Sequence, residues 1–159
     1  MLCPITILHC VNARKGLQMS EEVILNKIES LRRCVERIET KTPADVTELI
    51  EDVDLQDIIV LNLERAVQLC VDIGLQIIGE CDLPIPDTMS ETFRELAKEN
   101  IIDPDNAESL IRAVGFRNTA VHAYQEIDWN IVFTIITTHL KDFRTYVRSI
   151  LKYNDRYHC

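Results

Sequence analysis

Apolar residues recur at steps of three and four over most of this 159-residue chain. One such row contains Ile59, Leu63, Ala66, Cys70, Ile73 and Ile77. Similar rows run from residue 24 to 38, from 107 to 121 and from 131 to 150. Steps of three and four place side chains on one face of an α-helix, whereas a half-buried strand needs strict alternation. Because no stretch of the chain alternates in that way, the pattern predicts an all-α fold.

Residues that favour helix starts and stops divide this pattern into five helices. The expected N-caps are Ser20, Asp54, Thr88 or Asp87, Asp103 and Asp128. The helices end near residues 41, 79, 100, 122 and 153, and a short turn is expected around residues 44–50. The third helix is short and the other four are long. This arrangement predicts an up-and-down four-helix bundle with an additional short helix.

The length of the chain fits one domain with a sizeable core. Residues 1–18 are apolar first and basic afterwards and lack helical periodicity, so we expect a disordered N-terminal extension there. We expect the helical domain over residues 19–153 and a flexible tail over residues 154–159. No apolar run reaches the roughly 18 residues of a membrane span, and the N-terminal order is the reverse of a secretory signal. A cytoplasmic protein is therefore expected.

Charge is distributed unevenly along the chain, whose formal net charge is −9. Residues 1–103 hold 20 acidic and 10 basic side chains, whereas residues 104–159 hold 6 acidic and 7 basic ones. Such a balance argues against a general nucleic-acid-coating protein, and any polyanion would meet the C-terminal third. One face of the fifth helix carries Lys141, Arg144, Arg148 and Lys152. These cations either complement the negative end of the helix dipole or form a track for RNA phosphates.

The cysteines and histidines show no pattern of a metal site or a disulfide framework. None of the six cysteines belongs to a C-x-x-C pair. Cys34 and Cys70 lie within helical apolar rows, so we expect them to be small core residues. No pair of histidines or carboxylates has metal-ligand spacing. The sequence therefore predicts neither a metal nor a cofactor.

Polar residues interrupt the apolar row at the end of the fourth helix, in the stretch Arg117–Tyr124. In a straight helix Arg117 and His122 would lie on opposite sides of the row, about 140° apart. Asn118 is four residues before His122, so its amide can orient the imidazole or bind a phosphate oxygen. A polar helix terminus is one explanation, because His122 would lie near the negative end of the helix dipole.

The stretch Arg117-Asn118-x-x-x-His122-x-Tyr124 resembles the signature of the HepT-like branch of the HEPN superfamily (higher eukaryotes and prokaryotes nucleotide-binding). It matches the R-x-x-x-x-H-x-Y pattern of that branch without departure, at the end of the fourth predicted helix of an all-α chain. The similarity extends over roughly residues 23–153 and includes residues 61–66 and Asp72. Residues 1–18 have no recognisable counterpart in the family.

This resemblance implies the toxin of a toxin–antitoxin pair. HepT-like proteins are metal-independent endoribonucleases that form homodimers, in which the motifs of both subunits face one cleft. Their partners are minimal nucleotidyltransferase antitoxins, which silence the toxin by transferring AMP onto the motif tyrosine. By resemblance, Arg117 and His122 are catalytic and Tyr124 is the AMPylation site. Transfer RNA is one compatible target class, although nothing in these residues selects it.

The residue types of the motif suit RNA cleavage without a metal. The 2′-OH of RNA attacks the adjacent phosphate and leaves a cyclic phosphate and a free 5′-OH. An imidazole can transfer the protons near neutral pH, and a guanidinium can stabilise the phosphorane oxygens. Two alternatives remain open at this point. The chain could be a non-catalytic subunit that binds a nucleotide or substrate for a nucleotidyltransferase, or a helical scaffold that associates through the second helix.

Overall fold

The computed structural model describes the backbone of residues 4–157 and the side chains of residues 21–156. Within these residues the chain forms helices and no strand, as the periodicity predicts. The α-helices are α1 (Pro4–Lys41), α2 (Val46–Glu51), α3 (Val53–Glu80), α4 (Met89–Lys98), α5 (Pro104–His122), α6 (Trp129–Thr134) and α7 (Leu140–Tyr157). A 3₁₀ turn over Tyr124–Glu126 follows α5, and a π-helical turn over Ile135–His139 joins α6 to α7. The predicted fifth helix therefore corresponds to α6 and α7 together.

Helix α3 is the centre of the bundle and packs against α1, α4, α5 and α7. Its apolar row is fully buried at Ile59, Ala66 and Ile73. The broad apolar surface of this helix therefore contacts several neighbours, as its width predicts. Tyr146 of α7 is also fully buried, and its hydroxyl donates a 2.8 Å hydrogen bond to the Cys70 carbonyl oxygen. This bond satisfies the phenol inside the core.

Three of the predicted N-caps are confirmed. Thr88 begins α4 with a capping box, in which its hydroxyl accepts from the Glu91 N–H and the Glu91 carboxylate accepts from the Thr88 N–H, both at 3.2 Å. Asp103 and Asp128 cap α5 and α6 through 2.9 Å bonds from the backbone N–H two residues later. The predicted turn near residues 44–50 is the short helix α2.

Two predicted helix starts are wrong. The cap of α3 is Asp52, whose carboxylate accepts a 2.9 Å bond from the Leu55 N–H, and Asp54 lies inside the first turn. Asp52 is the residue with extended backbone between α2 and α3, so it is the one free to adopt cap geometry. Helix α1 begins at Pro4 and passes through residue 20, so no helix begins at Ser20.

The C-terminal helix also continues beyond Tyr153, where we expected it to end. Asn154 is buried, and its amide donates a 3.3 Å hydrogen bond to Glu21 of α1. The domain limits at residues 18 and 153 stay predictions, although neither coincides with a helix end in the structure.

Cys34 and Cys70 are buried, as expected, and burial raises the pKa of both thiols. Among the described residues, no helix is long and apolar enough to cross a membrane.

Candidate active site

The end of α5 and the 3₁₀ turn after it carry the four residues singled out in the sequence. Arg117 is half-buried, whereas Asn118 and His122 are exposed and Tyr124 is 39% exposed. Arg117 and Tyr124 both contact α3. Within residues 21–156, neither Asn118 nor His122 has a side-chain hydrogen-bond partner, so Asn118 does not orient His122 in this structure. The catalytic roles of Arg117 and His122 and the supporting role of Asn118 remain predictions.

A chain of polar contacts extends from Arg117 across α3 to α1. Nη2 of Arg117 donates to Oε1 of Gln68 at 3.3 Å, and Nε2 of Gln68 donates to Oδ1 of Asp72 at 2.8 Å. Nζ of Lys27 lies 3.6 Å from Oδ2 of Asp72. Asp72 thereby fixes the amide of Gln68 with its oxygen towards Arg117. The guanidinium is oriented by a neutral group, and among residues 21–156 it forms no ion pair with a carboxylate.

Tyr124 is held by a carboxylate and an aromatic ring. Its hydroxyl donates a 2.7 Å hydrogen bond to Oδ1 of Asp57. The ring of Trp129 meets the phenol edge-on, with centroids 6.1 Å apart and planes at 70°. Partial burial raises the pKa of Tyr124 to about 12, and the Asp57 hydrogen bond and the negative charges of Asp57 and Glu64 act in the same direction. The phenol is therefore fully protonated at neutral pH.

The two residues of α3 that contact the motif belong to one row. This row, the α3 row, contains Asp57, Leu61, Glu64, Gln68 and Asp72, at steps of four, three, four and four. Asp57 and Gln68 are 11 residues apart, so they lie about 16 Å apart along the helix axis. Within one chain, Tyr124 is hydrogen-bonded to Asp57 and Arg117 is hydrogen-bonded to Gln68. Sequence analysis missed Asp57 and Gln68, because they lie 67 and 49 residues from their partners along the chain.

A cavity of about 600 Å³ lies apart from the motif residues, and it is lined by residues of α3, α5 and the segment 126–143. Its walls are mainly apolar and include Phe116, Ile135 and Phe143, with His139 and Arg112 among the polar residues. His139 contacts Asp142 at 3.1 Å. None of the four motif residues lines this cavity.

The four cations of α7 are all exposed. One of them is already paired, since Nη2 of Arg144 donates to both carboxylate oxygens of Glu39 in α1, at 2.5 and 2.6 Å. Lys141, Arg148 and Lys152 form no ion pair within the described residues. Arg144 therefore joins α7 to α1, and the predicted RNA track has three unpaired cations. Among residues 21–156, no three His, Cys, Asp or Glu side chains are grouped closely enough to hold a metal ion.

Comparison with known proteins agrees with the all-α fold. The model of the family described as "Ribonuclease HepT-like" matches residues 28–150. The chain belongs to this HepT-like family of the HEPN superfamily.

Two curated relatives are both called HepT. The mRNA nuclease HepT of Shewanella oneidensis is 36% identical over 129 residues, which cover 81% of this chain and 96% of the relative. The tRNA nuclease HepT of Aphanizomenon flos-aquae is 28% identical over 131 residues, or 82% of this chain and 89% of the relative. A solved structure of the tri-AMPylated Shewanella oneidensis HEPN toxin in complex with an MNT antitoxin is 36% identical. It has a TM-score of 0.77 and covers 82% of this chain and 97% of the other.

Proposed function

We propose that this chain is a metal-independent endoribonuclease toxin of a toxin–antitoxin pair. Arg117 and His122 would cleave RNA in a site shared by two subunits, and a nucleotidyltransferase partner would neutralise the toxin by attaching AMP to Tyr124. The observation that carries this proposal is the accessible Arg117–His122–Tyr124 group at the end of α5 in a chain of the HepT-like family. RNA and ATP both occur in the cytoplasm, where we propose that the protein acts.

Arg117 and His122 have complementary chemical roles in this proposal. The exposed imidazole of His122 can take a proton from the 2′-OH or give one to the leaving 5′-oxygen. The guanidinium of Arg117 retains its charge beside the neutral Gln68 amide and can bind two phosphorane oxygens at once. Exposed Asn118 is available to bind a further phosphate oxygen.

The geometry of a single chain favours a site made by two subunits. On an ideal helix, Arg117 and His122 would point about 140° apart, too far for both to contact one phosphate easily. Apolar side chains are exposed beside the motif, since Val121 of α5 is 47% exposed and Leu61 of the α3 row is 45% exposed. A second copy related by a two-fold axis would cover them and bring Arg117 of one subunit towards His122 of the other. Sedimentation that shows only monomer at micromolar concentration would contradict this arrangement.

RNA cleavage in the presence of EDTA tests the chemistry. We expect wild-type protein to cleave RNA and leave cyclic phosphate ends, and His122→Ala and Arg117→Ala to be inactive but folded. Arg117→Lys should recover little activity, because an ammonium does not reproduce bidentate phosphate contact. A requirement for added divalent metal, or activity that survives His122→Ala, would disprove this mechanism.

Mixing the two inactive variants tests the shared site. In a heterodimer of Arg117→Ala with His122→Ala, one site receives an intact arginine from one subunit and an intact histidine from the other. Random mixing should therefore restore about a quarter of the wild-type activity. If both residues act within one subunit, mixing restores nothing.

The RNA class is not selected by these contacts, because one relative is named an mRNA nuclease and the other a tRNA nuclease. Lys141, Arg148 and Lys152 are unpaired among the described residues and remain candidates for phosphate contacts, whereas Arg144 would first have to leave Glu39. Replacing these three unpaired residues together by Gln should weaken RNA binding and lower its salt dependence. If the salt dependence of RNA binding is unchanged, these residues do not contact RNA and only complement the negative end of the helix dipole.

Neutralisation through Tyr124 has its own test. The Shewanella oneidensis relative was solved as a tri-AMPylated toxin in complex with its antitoxin, and we propose the same kind of partner and modification for this chain. Attached AMP adds a phosphodiester anion and a bulky nucleoside at the lip of the cleft. Incubation with the partner and ATP should add AMP-sized mass increments to wild type and none to Tyr124→Phe. Increments on the Phe variant would move the modification to another residue.

A further inference from the structure

The hydrogen bond between Tyr124 and Asp57 has no role in the ribonuclease chemistry described above. It joins the 3₁₀ turn after α5 to the N-terminal part of α3 at 2.7 Å, between two residues that are both exposed. Within the described residues, Tyr124 is the only hydrogen-bond partner of the Asp57 side chain. The bond is therefore dedicated to this phenol, and it lies where a second protein can reach it.

AMP transfer makes a specific demand on the acceptor tyrosine. A phenol attacks phosphorus well only when its proton leaves as the new bond forms. At neutral pH this phenol is fully protonated, since burial and nearby acidic groups hold its pKa far above 7. The reaction therefore needs a proton acceptor that already contacts the hydroxyl. Asp57 has that position, whereas Glu64 forms no hydrogen bond to Tyr124 within the described residues.

We propose that Asp57 is the general base for modification of Tyr124, so that the toxin itself supplies a catalytic residue for its own AMPylation. The inference rests on the proposed function, in which Tyr124 is the AMP acceptor. The phenolic oxygen bonds to the α-phosphorus of a bound nucleoside triphosphate, and the bond from that phosphorus to the β-bridging oxygen breaks. Pyrophosphate leaves with the electron pair, and the phenolic proton passes to Oδ1 of Asp57 and then to water.

The ring of Trp129 supports this role by limiting the motion of the phenol. Its edge-on contact fixes the plane of Tyr124 while the hydroxyl remains on Asp57. The attacking oxygen is thus held in position before the nucleotide arrives. Once AMP is attached, the hydroxyl proton is gone and the phosphodiester is repelled by the Asp57 carboxylate. The modified side chain must therefore leave its contact with α3, which frees it to cover the cleft.

The sharpest test compares the first AMP addition with later additions, because the group that accepts AMP differs between them. Where a second AMP is added to the first, the attacking group is a ribose hydroxyl and not the phenol, so Asp57 acts only in the first step. We expect Asp57→Asn, which keeps an oxygen acceptor but a poor base, to slow the first AMP addition by about 100-fold. Later additions should keep the wild-type rate, so that the singly modified species does not accumulate.

The experiment follows AMP increments by intact mass with the full-length chain, its nucleotidyltransferase partner and ATP. Asp57→Glu should restore part of the rate, because a carboxylate returns to the site. Glu64→Gln is the matched control, since it removes the same charge near Tyr124 without touching the hydrogen bond, and it should stay within about threefold of wild type. Thermal unfolding and binding to the partner confirm that each variant is folded.

Each outcome decides a separate point. If Asp57→Asn is modified as fast as wild type, or if every AMP addition slows equally, the general-base role is wrong. If Asp57→Ala is slow but Asp57→Asn is normal, the carboxylate only positions the phenol, which also overturns the inference. If wild type gains no AMP, or gains it equally after Tyr124→Phe, the proposed neutralisation fails together with the role of Asp57.

Discussion

Arg117 contacts the neutral amide of Gln68, so we expect a carboxylate at position 68 to impair RNA cleavage. Gln68→Glu would place a carboxylate oxygen 3.3 Å from the guanidinium, at the position now held by an amide oxygen. The Arg117–Gln68 bond would become an ion pair, and exposed ion pairs contribute about 0.2–1 kcal/mol. Because Arg117 is half-buried, we take the upper part of this range, about 1 kcal/mol. RNA phosphate would have to displace the new carboxylate, so kcat/KM should fall roughly fivefold.

A charge swap between positions 68 and 72 tests whether the position of the carboxylate on α3, and not an added charge, causes the loss of activity. Gln68→Glu with Asp72→Asn keeps the net charge and the side-chain hydrogen bond between the two positions, but moves the carboxylate next to Arg117. It also removes the like-charge pair that Gln68→Glu alone would create with Asp72, which costs about 0.2–0.5 kcal/mol in a helix. We expect the swapped protein to be as impaired as the single variant, whereas Asp72→Asn alone should be impaired less.

The assay is cleavage of a fluorogenic RNA oligonucleotide in EDTA at low salt, with kcat and KM determined separately. Weaker binding of the transition state by Arg117 should lower kcat/KM. The Tm of thermal unfolding should stay within a few degrees of that of the wild type. Wild-type activity in the swapped protein would refute the reasoning, because the carboxylate would then lie beside Arg117 without effect. Recovery in the swap after loss in the single variant would assign the loss to repulsion from Asp72 instead.

Further predictions concern the packing of α3. A methyl group on Gly74 would lie 2.7 Å from the Thr92 side chain, so Gly74→Ala should destabilise the fold by about 1–2 kcal/mol and lower Tm by roughly 2–8 °C. Gly79→Ala meets no atom within 4 Å, so in the same calorimetric scan it should be neutral or stabilising by up to about 1 kcal/mol. Tyr146→Phe removes the donor to the Cys70 carbonyl and should cost about 1 kcal/mol in urea unfolding, and an unchanged midpoint would show that the bond contributes nothing.

The sequence predicted those features of the fold that depend on neighbouring residues. Thr88, Asp103 and Asp128 cap their helices as expected, because a cap needs only a short side chain and the backbone N–H groups two or three residues later. Asp52 and Asp54 both have the right chemistry, so local sequence could not choose between them. The choice follows from where α2 ends, at Glu51.

The candidate site could be predicted only in part, for a related reason. Arg117 and His122 belong to one short motif, so their presence at the end of α5 follows from the sequence. Their surroundings depend on contacts across the bundle. Gln68 and Asp57 appear in the sequence as ordinary polar residues of an amphipathic helix, and their roles emerge only when α3 packs beside α5. No local pattern marks such residues, because a solvated helix face has the same composition.

The spacing of the α3 row has a consequence for how strongly the proposed modification can inhibit. The Tyr124 hydroxyl and the Arg117 guanidinium are bound to residues about 16 Å apart along α3. The phosphate of a first AMP is bonded directly to the phenolic oxygen, so it remains far from the arginine of its own chain. A longer oligonucleotide, extended unit by unit, could cross that distance, or a short one could meet the arginine of the other subunit. Inhibition should therefore increase in steps with the number of attached nucleotides, and residual RNA cleavage would report the length of the chain that the toxin carries.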